Sequence, residues 1–286
     1  MAIKFHNNGN LKVTDLDETQ SDIKFKDDEG LECADFEEGS GDDGLVGYWT
    51  MDDNLDTTNV IDSSGEGNHG TFSDANGNPY TSAHSVTGQV NRALEFDGID
   101  DYVDCGNAAS LDITENEITI EAWVKPIAFL GYLRIVDKTN STGSSSWRGY
   151  ALLVSQPNHY IYASFGMDGG TNAKTITPDN TVETDKWQHF FAVYNNTTKK
   201  CTLYKNGEYI SGQTQTTGVG NRVNPSNHLF LGIGTSNDGP FNGLIDEVRI
   251  YNRALSAEEI LLHYNNSKHR FYDTGKMSIL GEIDET

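Results

Sequence analysis

Between residues 44 and 267 the chain repeats one local pattern. Short runs rich in β-branched and aromatic residues end in clusters of Gly, Asn and Asp. LVGYWTM, RALEFDG, DYVDC, ITIEAWVKP, YLRIVDK, YALLVS, YIYASF, HFFAVYN, CTLYKNGEYI, HLFLGIG and LIDEVRIY are such runs. Strand side chains point to opposite faces in turn, so the alternation in Thr119-Ile120-Glu121-Ala122-Trp123-Val124 marks a strand with one buried face. Many short strands punctuated by turns predict an all-β, antiparallel two-sheet sandwich. Asn206-Gly207 predicts a type I′ hairpin turn, whose central residues both need positive φ. One helix is expected, over residues 257–264, with Ser256 as its cap and Glu258 and Glu259 in the first turn. Trp49, Phe96, Trp123, Trp187 and Phe191 fall in strand-like runs and are the expected core aromatics.

The charge balance narrows the partners. Lys and Arg number 20 against 43 Asp and Glu, a formal charge of −23. Phosphate backbones and anionic membrane surfaces would repel such a chain, so nucleic acid is excluded as an expected ligand. No stretch reaches the ~20 apolar residues of a membrane span, and MAIKFHNNGN shows no signal-peptide core. Cys33, Cys105 and Cys201 are an odd number in unlike contexts and read as free thiols.

Eight motifs in sequence order carry a resemblance to a known family. They are GLVGYWTMDD (44–53), DSSGEGNHGTF (62–72), RALEFDGIDDYVD (92–104), ITIEAWVKP (118–126), WQHFFAVYN (187–195), LYKNGE (203–208), LGIG (231–234) and GLIDEVRIYNRALSAEEI (243–260). Residues 44–267 thus resemble the laminin-G-like jelly-roll family, built on the concanavalin A-like sandwich. The resemblance implies the jelly-roll fold and leaves activity open, because one fold hosts many functions.

Outside that region the chain repeats itself. IKFHNNGNLKVTDLDET (3–19) aligns without a gap on IKFKDDEGLECADFEEG (23–39), and RFYDTGKMSILGEIDET (270–286) is a third copy with one residue inserted. Each copy has an apolar start, a polar turn with Gly and an apolar alternation, which reads as strand–turn–strand. The expected organisation is an arm of two hairpins and an acidic linker (1–43), the jelly roll (44–267) and a second arm (268–286). The N-terminal arm holds thirteen acidic residues against four lysines. An isolated hairpin is marginal in water. Phe5, Leu11, Phe25, Leu31, Phe271 and Met277 are therefore the expected assembly contacts, with other copies or other subunits. The F-x-x-x-G-x-L-x-V segment also resembles the ends of phage and virus structural proteins. That implies a capsid-decoration or tail-fibre protein at a virion surface.

Chemistry points to binding. Retaining glycosidases need two carboxyls ~5–5.5 Å apart. The hydrolases of this fold carry them on one strand as Glu-x-Asp-x-Glu or Glu-x-Asp-x-x-Glu. Here the only similar run, Glu282-Ile283-Asp284-Glu285-Thr286, belongs to a repeat, and no catalytic residue is expected. Calcium takes oxygen ligands on flexible frames. The loop from Asp62 to Gly70 supplies Asp62 and Asn68, and the resemblance brings Asp246 beside it. The same Asp62 and Asn68 also suit turn caps bonded to their own backbone. For a glycan, the segment 140–150 offers Trp147 and Tyr150 as platforms and Arg148 as a donor, and Tyr160 and Tyr162 read as sheet packing. The sequence thus points to a non-catalytic adhesion protein displaying a lectin-like domain. A lectin at the cell surface or secreted, and a glycoside hydrolase, are the alternatives.

Overall fold

The computed structural model describes residues 2–5, 11–14, 43–75, 77–114, 117–140, 148–167, 172–214 and 226–268. The chain divides into two compact units, Met1–Gly41 and Asp42–Thr286. In the first, β1 (Ala2–Phe5) pairs antiparallel with β2 (Leu11–Thr14), with Phe5 opposite Leu11. These are the two apolar halves of the first repeat. Phe25, Leu31, Phe271, Met277 and Cys33 lie outside the described residues.

The second unit holds β3 (Leu45–Trp49), β4 (Asn59–Val60), β5 (Gly70–Ser73), β6 (Ser85–Thr87), β7 (Arg92–Asp97), β8 (Tyr102–Asp104), β9 (Glu117–Pro126) and β10 (Leu133–Thr139). It continues through β11 (Gly149–Ser155), β12 (Tyr160–Gly166), β13 (Asn172–Ile176), β14 (Gln188–Asn195), β15 (Lys200–Lys205), β16 (Glu208–Thr214), β17 (Phe230–Leu231) and β18 (Asn242–Tyr251). The helices are α1 (Thr81–His84) and α2 (Ala257–Ser267). One sheet has the order β13-β12-β11-β10-β17-β8-β5-β4, and the other β16-β15-β14-β9-β18-β7-β6 with β3 paired to β18. Every pairing is antiparallel, the all-β sandwich expected.

Alternation explains the core. Ile118, Ile120, Ala122 and Val124 of β9 face Tyr150, Leu152 and Val154 of β11 and Ile161, Ala163 and Phe165 of β12 across one buried cluster that also holds Trp49 and Phe96. Gly47 is needed beside Trp49, because a Cβ there would lie 2.4 Å from the indole ring. Asn206 and Gly207 have φ of 53° and 79°, as a type I′ turn requires. Cys105 and Cys201 are free and buried.

Phe191, expected in the core, instead joins Leu45, Val193, Tyr251, Leu255 and Ile260 in a second cluster, which packs α2 onto the outer face of the second sheet. Trp123 is buried on that outer face too, stacked on His189 with 4.5 Å between ring centroids and on Tyr264. Trp187 is only half-buried, because it precedes β14 rather than lying within it. Helix α2 begins where expected, with a reciprocal capping box between Ser256 and Glu259, and runs three residues further than the sequence suggests. Among the described residues no helix is long and apolar enough to cross a membrane.

Candidate functional site

The first sheet turns its other face outward, and the same alternation that fills the core decides what stands there. Leu153 and Ser155 of β11 and Tyr160 and Tyr162 of β12 occupy the non-core positions, with Leu153 opposite Tyr162 and Ser155 opposite Tyr160. In β10 the pairing shifts register between Arg134 and Val136. Such a bulge inserts one extra residue, Ile135, and leaves Arg134 and Asp137 on the same outward face. Arg134 stands opposite Leu153, extending the row to a third strand.

These side chains, with Tyr132 and Asp238, line a depression of about 350 Å³, within the usual range for small-ligand sites. Tyr132 is 53% exposed at its wall. Arg134 is nearly buried and held from two sides: Nη1 donates to Asp137 Oδ2 at 2.6 Å and Nη2 to Asp238 Oδ2 at 2.8 Å. The loop carrying Asp238 is fixed to β10 by Arg134 N–H donating to the Gly239 carbonyl. Burial pushes the Asp137 carboxyl up and Arg134 pulls it back. Three tyrosines, one braced guanidinium and a serine hydroxyl form a rigid floor with aromatic walls. Pyranose faces stack on such rings, and hydroxyls bond to such polar edges.

The residues expected to bind glycan fare differently. Tyr150 is fully buried within the sandwich, its hydroxyl donating to the Leu111 carbonyl, so it cannot be a platform. Arg148 is exposed, its backbone N–H donating to Asn140 Oδ1, and Trp147 lies outside the described residues. Sequence reasoning assigned Tyr160 and Tyr162 to packing and passed over Tyr132, Arg134 and Asp238. The legible signal was an arginine inside the apolar run YLRIVDK, which a bulged strand turns outward.

The residues expected to hold calcium are engaged by the protein's own hydrogen-bond donors. Asp62 Oδ1 accepts from the Tyr48 and Ser64 backbone N–H groups, both at 2.9 Å. Its Oδ2 accepts from Ser64 Oγ at 2.8 Å and Asn68 N–H at 2.7 Å. Asn68 donates from Nδ2 to the Val46 carbonyl and to Ser110 Oγ. Asp246 Oδ2 accepts from the backbone of Gln89 and Val90, and burial pushes this carboxyl well above the usual range. Both Asp62 oxygens are thus spent on loop closure, the turn-capping role, whereas Asp246 Oδ1 is buried with no hydrogen-bond partner among the described residues. Among the described residues, Asp74, His84 and Asp101, and also Asp97, Asp100 and Asp101, do bring three possible donor atoms within 4.8 Å.

Beneath α2 lies a separate charged network. Glu121 accepts from Arg249 Nη1 at 3.0 Å, from His189 Nε2 at 2.9 Å and from His263 Nδ1 at 2.8 Å. Arg249 also bonds Glu247, which accepts the Tyr48 hydroxyl at 2.9 Å. Burial raises the Glu121 carboxyl, yet Arg249 and the two histidines outweigh it and hold the group far below the usual range. Burial lowers the His189 imidazole. A neutral ring donating from Nε2 satisfies both observations. This network ties the helix to the sheet, with Trp123 Nε1 donating to Ser267 Oγ at the helix end.

The two-sheet jelly-roll sandwich is the fold shared by the concanavalin A-like lectins and glucanases. The profile of the concanavalin A-like lectin/glucanase superfamily matches residues 97–261, more than half of the chain, and the chain belongs to that superfamily. Among solved structures it is similar to domain 4 of AbnA, a GH43 extracellular arabinanase from Geobacillus stearothermophilus, in complex with arabinotriose. The TM-score is 0.53 at 21% identity, covering 76% of this chain and 96% of that one. It is also similar to the binding domain of Paraclostridial Mosquitocidal Protein 1 (TM-score 0.57, 16% identity, 79% of this chain and 53% of that one). The binding domain of botulinum neurotoxin DC in complex with SialylT is a third (TM-score 0.53, 14% identity, 80% and 52%). The chain thus spans about half the length of the toxin domains it matches. At these identities the likeness is one of fold. A comparison with curated protein sequences finds no match.

Proposed function

We propose that this chain is a non-catalytic glycan-binding protein that displays its jelly roll on a larger assembly through its terminal repeats. The observation that carries the binding role is the depression walled by Tyr132, Tyr160 and Tyr162 on the outward sheet face. The solved neighbours support it: two are toxin binding domains, one of them in complex with SialylT, and domain 4 of AbnA is in complex with arabinotriose. A hydrolytic role would need a free pair of carboxyls. Among the described residues the only carboxylate lining the depression is Asp238, and it is bonded to Arg134.

The assembly role is argued from the sequence, three copies of one segment at both ends of the chain, and from the pairing of β1 with β2. A virion surface suits arms of this kind, as a capsid decoration or a tail fibre. The test of binding is a glycan array read with the intact protein and with Tyr132→Ala. Binding that weakens about tenfold or more in the variant supports the site, since losing one stacking wall removes roughly 1–2 kcal/mol. Array binding that Tyr132→Ala and Tyr160→Ala both leave unchanged would place the glycan elsewhere. Release of reducing sugar from any bound glycan would overturn the non-catalytic reading.

A further inference from the structure

From the charge arrangement in the depression we infer that its ligands are neutral glycans, and that acidic sugars are excluded. The inference rests on the depression being the glycan site. Among the described residues that line it, Arg134 is the only cationic side chain. Its two terminal nitrogens each meet a carboxylate, Asp137 at 2.6 Å and Asp238 at 2.8 Å. One positive charge is thus shared between two acidic groups, so no uncompensated cation faces the depression. Asp137 is fully buried and Asp238 is 46% exposed, which leaves negative charge at the mouth. A uronic or sialic carboxylate entering there would give up its hydration and meet Asp238 without gaining an ion pair. The whole chain, at −23, adds long-range repulsion.

A neutral sugar meets none of these penalties. Tyr132, Tyr160 and Tyr162 offer ring faces to its C–H surface. The Tyr132 and Tyr160 hydroxyls, with Ser155, offer donors and acceptors that do not discriminate by charge. Asp238 acts in this arrangement as a specificity residue: it neutralises the guanidinium that would otherwise welcome an anion.

The test uses the full-length protein and two probe sets measured by titration calorimetry. The neutral set is arabinotriose, xylotriose and maltotriose, and the acidic set is trigalacturonate and sialyllactose. The expected result is measurable binding within the neutral set that is unchanged by added salt and weakened about tenfold by Tyr132→Ala. No acidic probe should bind the wild-type protein. Asp238→Asn removes one carboxylate from Arg134 and should give trigalacturonate binding that falls as salt rises. Two outcomes overturn the inference. If an acidic probe binds the wild-type protein and Tyr132→Ala removes that binding, the specificity is wrong while the site stands. If no probe's binding depends on Tyr132 or Tyr160, the site itself is wrong and the inference falls with it.

Discussion

Replacing Asp62 by alanine separates loop closure from metal binding. The carboxylate accepts four hydrogen bonds within its own neighbourhood, three of them from backbone N–H groups of Tyr48, Ser64 and Asn68. Only the Asn68 bond is fully buried. Stripping that N–H of its acceptor costs roughly 2 kcal/mol, and the two half-buried donors, which water can partly satisfy, about 0.5–1 kcal/mol each. Asn68 further accepts Trp49 Nε1 at 2.9 Å and donates to Val46, so slackening the loop weakens the anchoring of a core tryptophan. The expected loss is therefore about 3–4 kcal/mol, or about 6–16 °C of Tm for a domain of this size. Asp62→Asn should cost less, since one amide oxygen keeps two of the acceptor sites. The assay is calorimetric melting of both variants and the wild type, each in calcium and in chelator. Loop closure predicts the same loss in both media. A wild-type protein whose Tm fell to the Asp62→Ala value on chelation would refute the reasoning and make Asp62 a metal ligand.

Arg249→Met should destabilise the fold by about 3–5 kcal/mol in denaturant titration, because it leaves Glu121 and Glu247 buried without their shared cation. Adding Glu121→Gln should restore part of that loss; no recovery would show that Arg249 acts through packing alone. His189 is held below its ordinary pKa, so the unfolded chain takes up a proton first as pH falls. Its contribution to stability is full above about 6.5 and is lost as pH drops through and below that value. His189→Gln should flatten this part of the pH–stability curve, and an unchanged slope would assign it to other groups. Replacing Phe5, Phe25 and Phe271 by Ser should leave residues 44–267 folded yet abolish entry into the native assembly; normal incorporation would rule the arms out as assembly contacts.

The sandwich was legible because its evidence is local and redundant. Alternation in β9, the Asn206-Gly207 turn and the Ser256 cap each act over a few residues, and all agree with one fold. The candidate site was not, because it is assembled across strands. Tyr132, Arg134 and Asp238 meet only once β10 is bulged and the loop before β18 folds back onto it. Tyr150 misled because it resembles a binding-loop aromatic in composition, and only the register of β11 shows that it faces inward. Asp62 is a similar case: a carboxylate in a glycine-rich loop serves a cation or its own backbone equally well until the donors around it are located. Trp123 and Phe191 were foreseen as buried, but an alternating strand cannot say which of its faces meets the other sheet and which meets a helix.

The position of β18 has a consequence for how the protein is made. It is the last strand of the domain, yet it lies in the interior of its sheet, paired with β9, β7 and β3. During synthesis β9 and β7 emerge long before their common neighbour and present open edges until residues 242–251 leave the ribosome. The closing pairs join Trp49 to Val248 and Tyr48 to Arg249, so the earliest strand waits for the latest. Folding of this half therefore waits until β18 has emerged, is slowed by a long loop closure, and leaves the open edges exposed to chaperones and proteases in the interval. A stalled nascent chain ending before residue 242 should be readily digested, and one carrying residue 268 clear of the tunnel should resist. A frameshift or stop codon near the end of the domain then removes the centre of a sheet, and the product goes to degradation as an unfinished chain.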